Sequence, residues 1–192
     1  TSVVAQGCRP VGDPLIVTAV DDAPDGPGQV LLELGGQPAG RVLAEVATPL
    51  DDDLRTLLRL RAQIGVVVDE SLPTFAMGDF LVRPVVSLDT ESQGLVVGSR
   101  IPVGTTVQLH VPDPDAAAAD LRRAFADASP PPDGGALVFT CIGRGTGFFG
   151  TPDVDAEAVV DAVGPAVAGM ASAGEIGPLG GVNRVHTLSA TA

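Results

Sequence analysis

The chain has 192 residues, of which 45% are hydrophobic and 18% charged, and this composition is typical of a globular protein with a sizeable core. The formal net charge is −13 and no lysine is present, so the surface repels phosphate backbones and gains nothing from anionic membranes. We therefore expect neither nucleic acid nor a membrane among its partners.

The first sixty residues contain signals for two strands followed by two helices. Residues 15–20 and 29–34 are apolar runs that predict a hairpin, with the Gly/Pro-rich stretch 21–28 as its turn. Pro38 suits the first turn of a helix. The acidic triplet 51–53 favours the start of a second helix, where carboxylates lie near the positive end of the helix dipole.

The middle of the chain predicts a buried strand, a β meander and a helix. Residues 64–68 are continuously apolar, and residues 80–111 alternate short apolar runs with turn signals. Asp113 is expected to cap a helix that has Pro114 at its first position. The Pro/Gly-rich stretch 129–135 ends this part of the chain.

The last sixty residues predict a βαβ unit. A strand at 136–141 leads to a helix at 151–165, for which we expect Thr151 as the cap and Gly164 as the stop. A strand at 167–172 follows. A glycine-rich turn at 174–181 then precedes a final strand. The expected fold class is α+β, a mixed β-sheet with flanking helices and a C-terminal βαβ unit.

Cys141 ends the first strand of that unit and is followed by a glycine-rich loop. Ligands collect at the carboxyl ends of strands in open sheets, and a loop with Gly143 and Gly145 can direct several backbone N–H groups into one concavity. Arg144 between them can hold a carboxylate through two parallel hydrogen bonds. The pattern therefore predicts an anion pocket with a thiol at its rim. Equally, the glycines can serve only a sharp turn, with Cys141 a small core residue.

Glu175 is the second candidate, since it follows the second strand of the βαβ unit within a glycine-rich stretch. Parallel neighbouring strands would bring it to the same edge of the sheet as Arg144. There it can pair with Arg144 or accept hydrogen bonds from a ligand amine. The alternative is a solvated glutamate in a turn.

No cofactor or metal is expected. The dinucleotide pattern G-x-G-x-x-G fails at Phe148, and the phosphate-binding P-loop fails because there is no lysine. His110 and His186 have no metal-ligand spacing around them. The two cysteines, Cys8 and Cys141, are most simply two reduced thiols of a cytoplasmic protein; a long-range disulfide between them is the alternative.

The glycine-rich segments resemble the C-terminal part of FIST-domain proteins. The stretches "GALVFTCIGRGTGFFG" and "AGMASAGEIGPLGGVNRVHTLSAT" carry the family's pattern, and segments before residue 112 also resemble it, so nearly the whole chain is covered. The residues at pattern positions are Cys141, Gly143, Arg144, Gly145, Phe149, Gly150, Gly174, Glu175, Ile176, Gly177, Pro178, Gly181, Asn183 and His186.

The resemblance implies a sensory domain of an intracellular signal-transduction protein, which binds small ligands such as amino acids, and no catalytic residue set carries over from the family. It implies residues 1–14 as a junction from an N-terminal FIST domain missing from this chain, and residues 15–192 as the FIST C-like domain. We expect the ligand site to include Cys141, Gly143, Arg144, Gly145, Glu175 and Asn183. The alternative function is a thiol enzyme or redox sensor that uses Cys141.

Overall fold

A computed structural model of the chain describes residues 1–23, 28–131 and 134–192. Its strands are β1 (Val4–Gln6), β2 (Cys8–Asp22), β3 (Gln29–Leu34), β4 (Gln37–Pro38), β5 (Gln63–Val67), β6 (Phe80–Leu88), β7 (Leu95–Val97), β8 (Thr106–Pro112), β9 (Ala136–Cys141), β10 (Val167–Ser172), β11 (Glu175–Leu179), β12 (Val182–His186) and β13 (Ser189–Thr191). Its helices are α1 (Ala39–Ala47), α2 (Asp52–Arg61), α3 (Pro114–Ala128), α4 (Thr146–Phe149) and α5 (Val154–Val163), with a 3₁₀ turn at Ile142–Arg144. The α+β class is confirmed.

The chain folds into two compact units. One, here called the barrel unit, comprises Pro10–Ala76 and Phe80–Val111. The other, here called the layered unit, comprises Thr1–Arg9, Met77–Asp79 and Pro112–Ala192. The expected division at residue 14 refers to a longer protein and stays a prediction; here residues 8–22 form one continuous strand.

In the barrel unit, six strands close on themselves in the order β2-β8-β5-β6-β7-β3, because β3 also pairs with β2. The interior is aliphatic, as the scarcity of aromatic residues predicts, and includes Leu31 and Leu95. His110 is an exception, buried with its ring 4.8 Å from that of Phe80. Gly65 faces the same ring, and a Cβ there would overlap the imidazole.

The layered unit is built on the sheet β1-β13-β9-β10, with the βαβ unit β9-α5-β10 at one edge. Strands β9 and β10 are parallel, as expected, with Val138 beside Gly169 and Thr140 beside Ala171. Helices α3 and α5 contribute Phe125 and Val159 to the core on one face of the sheet, together with Val138 of β9.

Most of the predicted elements are confirmed. The 15–20 and 29–34 strands pair antiparallel, although the core of the expected turn, residues 24–27, lies outside the described residues, as do 132–133 of the 129–135 stretch. Asp51 caps α2 through Leu54 N at 2.8 Å, and Asp113 caps α3 through Ala116 N at 2.9 Å.

Two local predictions in the last part of the chain are wrong. The helix of the βαβ unit begins at Val154 after Asp153, so Thr151 is not its cap, and α4 occupies part of the preceding loop. Residues 174–181 are not simply a turn: Glu175–Leu179 form strand β11, which pairs antiparallel with β12. Gly177 lies in this strand because it packs against Val4 and Thr191, where a side chain would clash.

Candidate functional site

A groove of about 360 Å³ lies in the layered unit, at the carboxyl end of β9 and beside the first turn of α5. We call it the β9–α5 groove. Its walls include Thr140 and Cys141 of β9, Ile142 and Gly145 after that strand, and residues 167–171 of β10, Met170 among them. This is the edge of a parallel strand pair at which α/β proteins collect ligands. Part of the expected site therefore lines a cavity.

Arg144 lines the groove, but its guanidinium is already engaged. Its side chain is 0% exposed, and Nε and Nη2 donate to the two carboxylate oxygens of Asp155 at 2.8 and 2.7 Å. Nη1 donates to the Leu188 carbonyl at 3.4 Å, and the guanidinium carbon lies 5.3 Å from the centre of the Phe149 ring. The bidentate pair fixes the Ile142–Arg144 turn to the start of α5. To hold a ligand carboxylate, Arg144 would have to leave Asp155.

Glu175 is also buried and engaged. Its two carboxylate oxygens accept hydrogen bonds from Ser172 Oγ at 2.9 Å and Ser189 Oγ at 2.8 Å. Among the described residues Arg144 and Glu175 form no ion pair with each other. They instead contact adjacent residues of one segment, Leu188 and Ser189.

The other predicted site residues are divided between the groove and the surface around it. Cys141 is half-buried at the rim and Gly145 lines the wall. Gly143 is exposed, and a Cβ there would meet Leu188 at 3.1 Å. Asn183 is exposed on β12, opposite Pro178 of β11. Of the six predicted residues, the structure brings Cys141, Arg144 and Gly145 together along this groove.

The first turn of α5 supplies polar groups that the sequence did not reveal. Asp153, Val154, Asp155 and Ala156 all line the groove. Asp153 has a left-handed backbone with φ of 61°, and its side chain makes no capping hydrogen bond. The first N–H groups of an uncapped helix are free to bind an acceptor, and the helix dipole favours an anion there. Because Asp155 is neutralised by Arg144, the exposed Asp153 is the groove's remaining carboxylate.

The two thiols differ in environment. Cys8 is buried, and burial raises the pKa of its thiol from 9.0 to about 12; the positive charge of Arg144 offsets this only in part. Neither Cys8 nor Cys141 is in a disulfide. In the described parts of the chain, no three His, Cys, Asp or Glu side chains gather in a way that could hold a metal ion.

Comparison with known families identifies the domain. The family model of the FIST C domain matches residues 39–178. The chain belongs to the FIST C domain family. This family is associated with signal-transduction sensing, and the resemblance in the glycine-rich segments is thereby confirmed.

Relatives of this FIST C chain occur in mycobacteria. Uncharacterized protein Rv0628c of Mycobacterium tuberculosis (strain ATCC 25618 / H37Rv) is 44% identical over 195 residues, which cover 99% of this chain and 49% of that protein. Uncharacterized protein Mb0898c of Mycobacterium bovis (strain ATCC BAA-935 / AF2122/97) is 40% identical over 193 residues, covering 98% and 48%. The chain thus spans about half the length of these curated relatives.

No solved structure matches the FIST C chain. Across residues 1–23, 28–131 and 134–192, no helix combines the length and apolar character needed to cross a bilayer.

Proposed function

We propose that this FIST C chain is a small-ligand-binding sensory domain and that its ligand binds in the β9–α5 groove. The observation that carries the proposal is the groove itself, about 360 Å³ at the carboxyl end of β9, along β10 and against an uncapped helix start. Small-molecule sites commonly have volumes of roughly 300–1,000 Å³ and combine apolar walls with a few polar groups. An amino acid fits that size.

The polar groups around the groove suit a zwitterion. The N–H groups at the start of α5 favour a carboxylate, and the exposed carboxylate of Asp153 favours an amine. In this proposal Arg144 is a positioning residue. By holding Asp155 through two hydrogen bonds, it fixes the helix start against the loop after β9 and neutralises a carboxylate that would otherwise repel the ligand's anion.

The test is a thermal-shift and calorimetry screen of the 192-residue chain against the amino acids and small inorganic anions. Ala171, exposed on β10, lines the groove, so Ala171→Trp fills it. Ala119→Trp, at an exposed position of α3, is the matched control. We expect a ligand-induced rise in Tm in wild type and control that is lost in Ala171→Trp. No response to any compound, or a response that Ala171→Trp leaves unchanged, refutes the proposal.

The thiol enzyme or redox sensor at Cys141 stays an alternative hypothesis. Catalysis of that kind requires an exposed thiol with unusually fast alkylation. Alkylation of Cys141 no faster than that of a free cysteine would remove this alternative and leave the binding proposal untouched.

A further inference from the structure

The sheet of the layered unit is covered unequally on its second face. Val4, Thr191, Phe139 and Met170 are register partners across the four strands and so share one face, opposite the helices. The β11–β12 hairpin covers the β1–β13 end, where Thr191 is buried against Gly177. Exposure then rises along the row, to 40% at Phe139 and 61% at Met170.

This uncovered face is apolar. Leu137 and Phe139 of β9, Ile142 just after it, and Met170 of β10 are all exposed, and we call these four residues the uncovered face. Neither β9 nor β10 contains a charged residue. A sheet with helices on one side and exposed large hydrophobic residues on the other requires a further layer to bury that second face.

The outer edge of β10 is also open. Among the described residues β10 pairs with β9 alone, so one row of its backbone N–H and C=O groups has no strand partner. Exposed edges in natural proteins are normally protected by charges, prolines or bulges. The sequence of β10, VAGMAS, has neither a charge nor a proline. The edge and the uncovered face meet along this same strand.

We infer that a second domain packs on the uncovered face and on the outer edge of β10. In proteins as long as the mycobacterial relatives, this domain is the half of the polypeptide that the present chain does not match. The chain matches only 49% of such a relative, so about as much polypeptide again accompanies this domain there. A tethered half is held at an effective concentration in the millimolar range. A second copy of this chain fits less well, because each copy carries a net charge of −13. The occupant presents an apolar β-layer and continues the sheet beyond β10.

This interface borders the proposed ligand groove, because Ile142 and Met170 line the groove as well. Thr140 and Ala171 are register partners on the helix side of the sheet, whereas Phe139 and Met170 are register partners on the other side. Leu137 and Phe139 do not line the groove, so a substitution at the exposed Leu137 tests the interface without entering the groove.

The experiment uses a chimera in which this chain replaces the half of Rv0628c that it matches, while the other half of Rv0628c is kept. Hydrogen exchange of residues 136–142 and 167–172 is compared between this full-length chimera and the 192-residue chain. We expect exchange in these segments to be at least tenfold slower in the chimera. Leu137→Arg should reverse that protection while leaving the unfolding midpoint of the 192-residue chain unchanged. Val86→Arg, at an exposed position in the barrel unit, is the matched control and should change neither.

Equal exchange in the chimera and in the 192-residue chain overturns the inference. A 192-residue chain that sediments as a dimer, with the dimer lost in Leu137→Arg, also overturns it by assigning the surface to a second copy. Should the chimera not fold, the two halves are co-expressed as separate chains, one of them tagged. Co-purification that Leu137→Arg abolishes supports the inference, and its absence counts against it.

Discussion

Removal of the Arg144 guanidinium should strongly destabilise the layered unit. Arg144→Met leaves the Asp155 carboxylate, 7% exposed, without its cation and without two hydrogen bonds of 2.8 and 2.7 Å. Breaking a buried ion pair by removing one partner typically costs about 3–5 kcal/mol, because a charge stays buried without compensation. Two charge-assisted hydrogen bonds at roughly 1.5–3 kcal/mol each give a similar total. We expect a loss of about 4 kcal/mol in the free energy of unfolding.

Urea unfolding followed by far-ultraviolet circular dichroism measures this loss, since the chain has no Trp or Tyr for fluorescence. The double variant Arg144→Met/Asp155→Leu should lose less than Arg144→Met alone, because no charge is then left unpaired. Should Arg144→Met not fold, Asp155→Asn provides a milder perturbation of the same pair.

The matched control is the exposed ion pair Arg41–Glu45 on α1, whose side chains are 69% and 51% exposed. Arg41→Met should cost less than about 0.5 kcal/mol, since exposed helical pairs contribute little. If Arg144→Met costs no more than Arg41→Met, Arg144 does not anchor the start of α5, and its proposed positioning role is wrong.

Four further predictions concern buried groups. Glu175→Gln should cost about 1–3 kcal/mol in urea unfolding, because a carboxylate that accepts two serine hydroxyls is replaced by an amide that accepts fewer. Gly65→Ala should cost about 1–3 kcal/mol by overlapping the His110 ring, and a second substitution, His110→Ala, should restore room for it, so that the two effects do not add. Burial lowers the pKa of His110 from 6.5 to about 4, so the unfolded state binds the proton first as pH falls. The free energy of unfolding should therefore decrease by about 3 kcal/mol between pH 6.5 and 4, with little further loss from this group below pH 4. His110→Gln should flatten that slope. Iodoacetamide at pH 8 should alkylate the half-buried Cys141 and leave Cys8, whose pKa is raised, unmodified. Mass spectrometry of the labelled peptides measures this, and labelling of both thiols at one rate would contradict it.

Two predictions that depended on local chemistry were confirmed, although the third expected cap, Thr151, was wrong. Asp51 and Asp113 each cap a helix through an N–H three residues later, and the identity of the residue and the pattern after it suffice to predict such a contact. The parallel pairing of β9 and β10 follows from strand, helix and strand in close succession.

The roles of Arg144, Asp155 and Glu175 could not be predicted in this way. Nothing in the sequence distinguishes Asp155 from the other acidic residues of α5, and only packing brings it to Arg144 across eleven positions. The glycine-rich stretch after β10 suggested a turn because glycine usually marks one. In the structure, Gly177 is there because Val4 and Thr191 leave no space for a side chain, which is a tertiary constraint.

The two faces of β9 and β10 connect the proposed ligand site with the proposed interface. Thr140 and Ala171 line the groove from the helix side, Leu137 and Phe139 belong to the opposite face, and Met170 lies at the border of both surfaces. A ligand that shifts β10 relative to α5 would change the surface offered to a second domain. By linkage, that domain would change the affinity for the ligand by the same factor. A sensory role therefore requires no long pathway through this fold, since one pair of strands forms part of both surfaces.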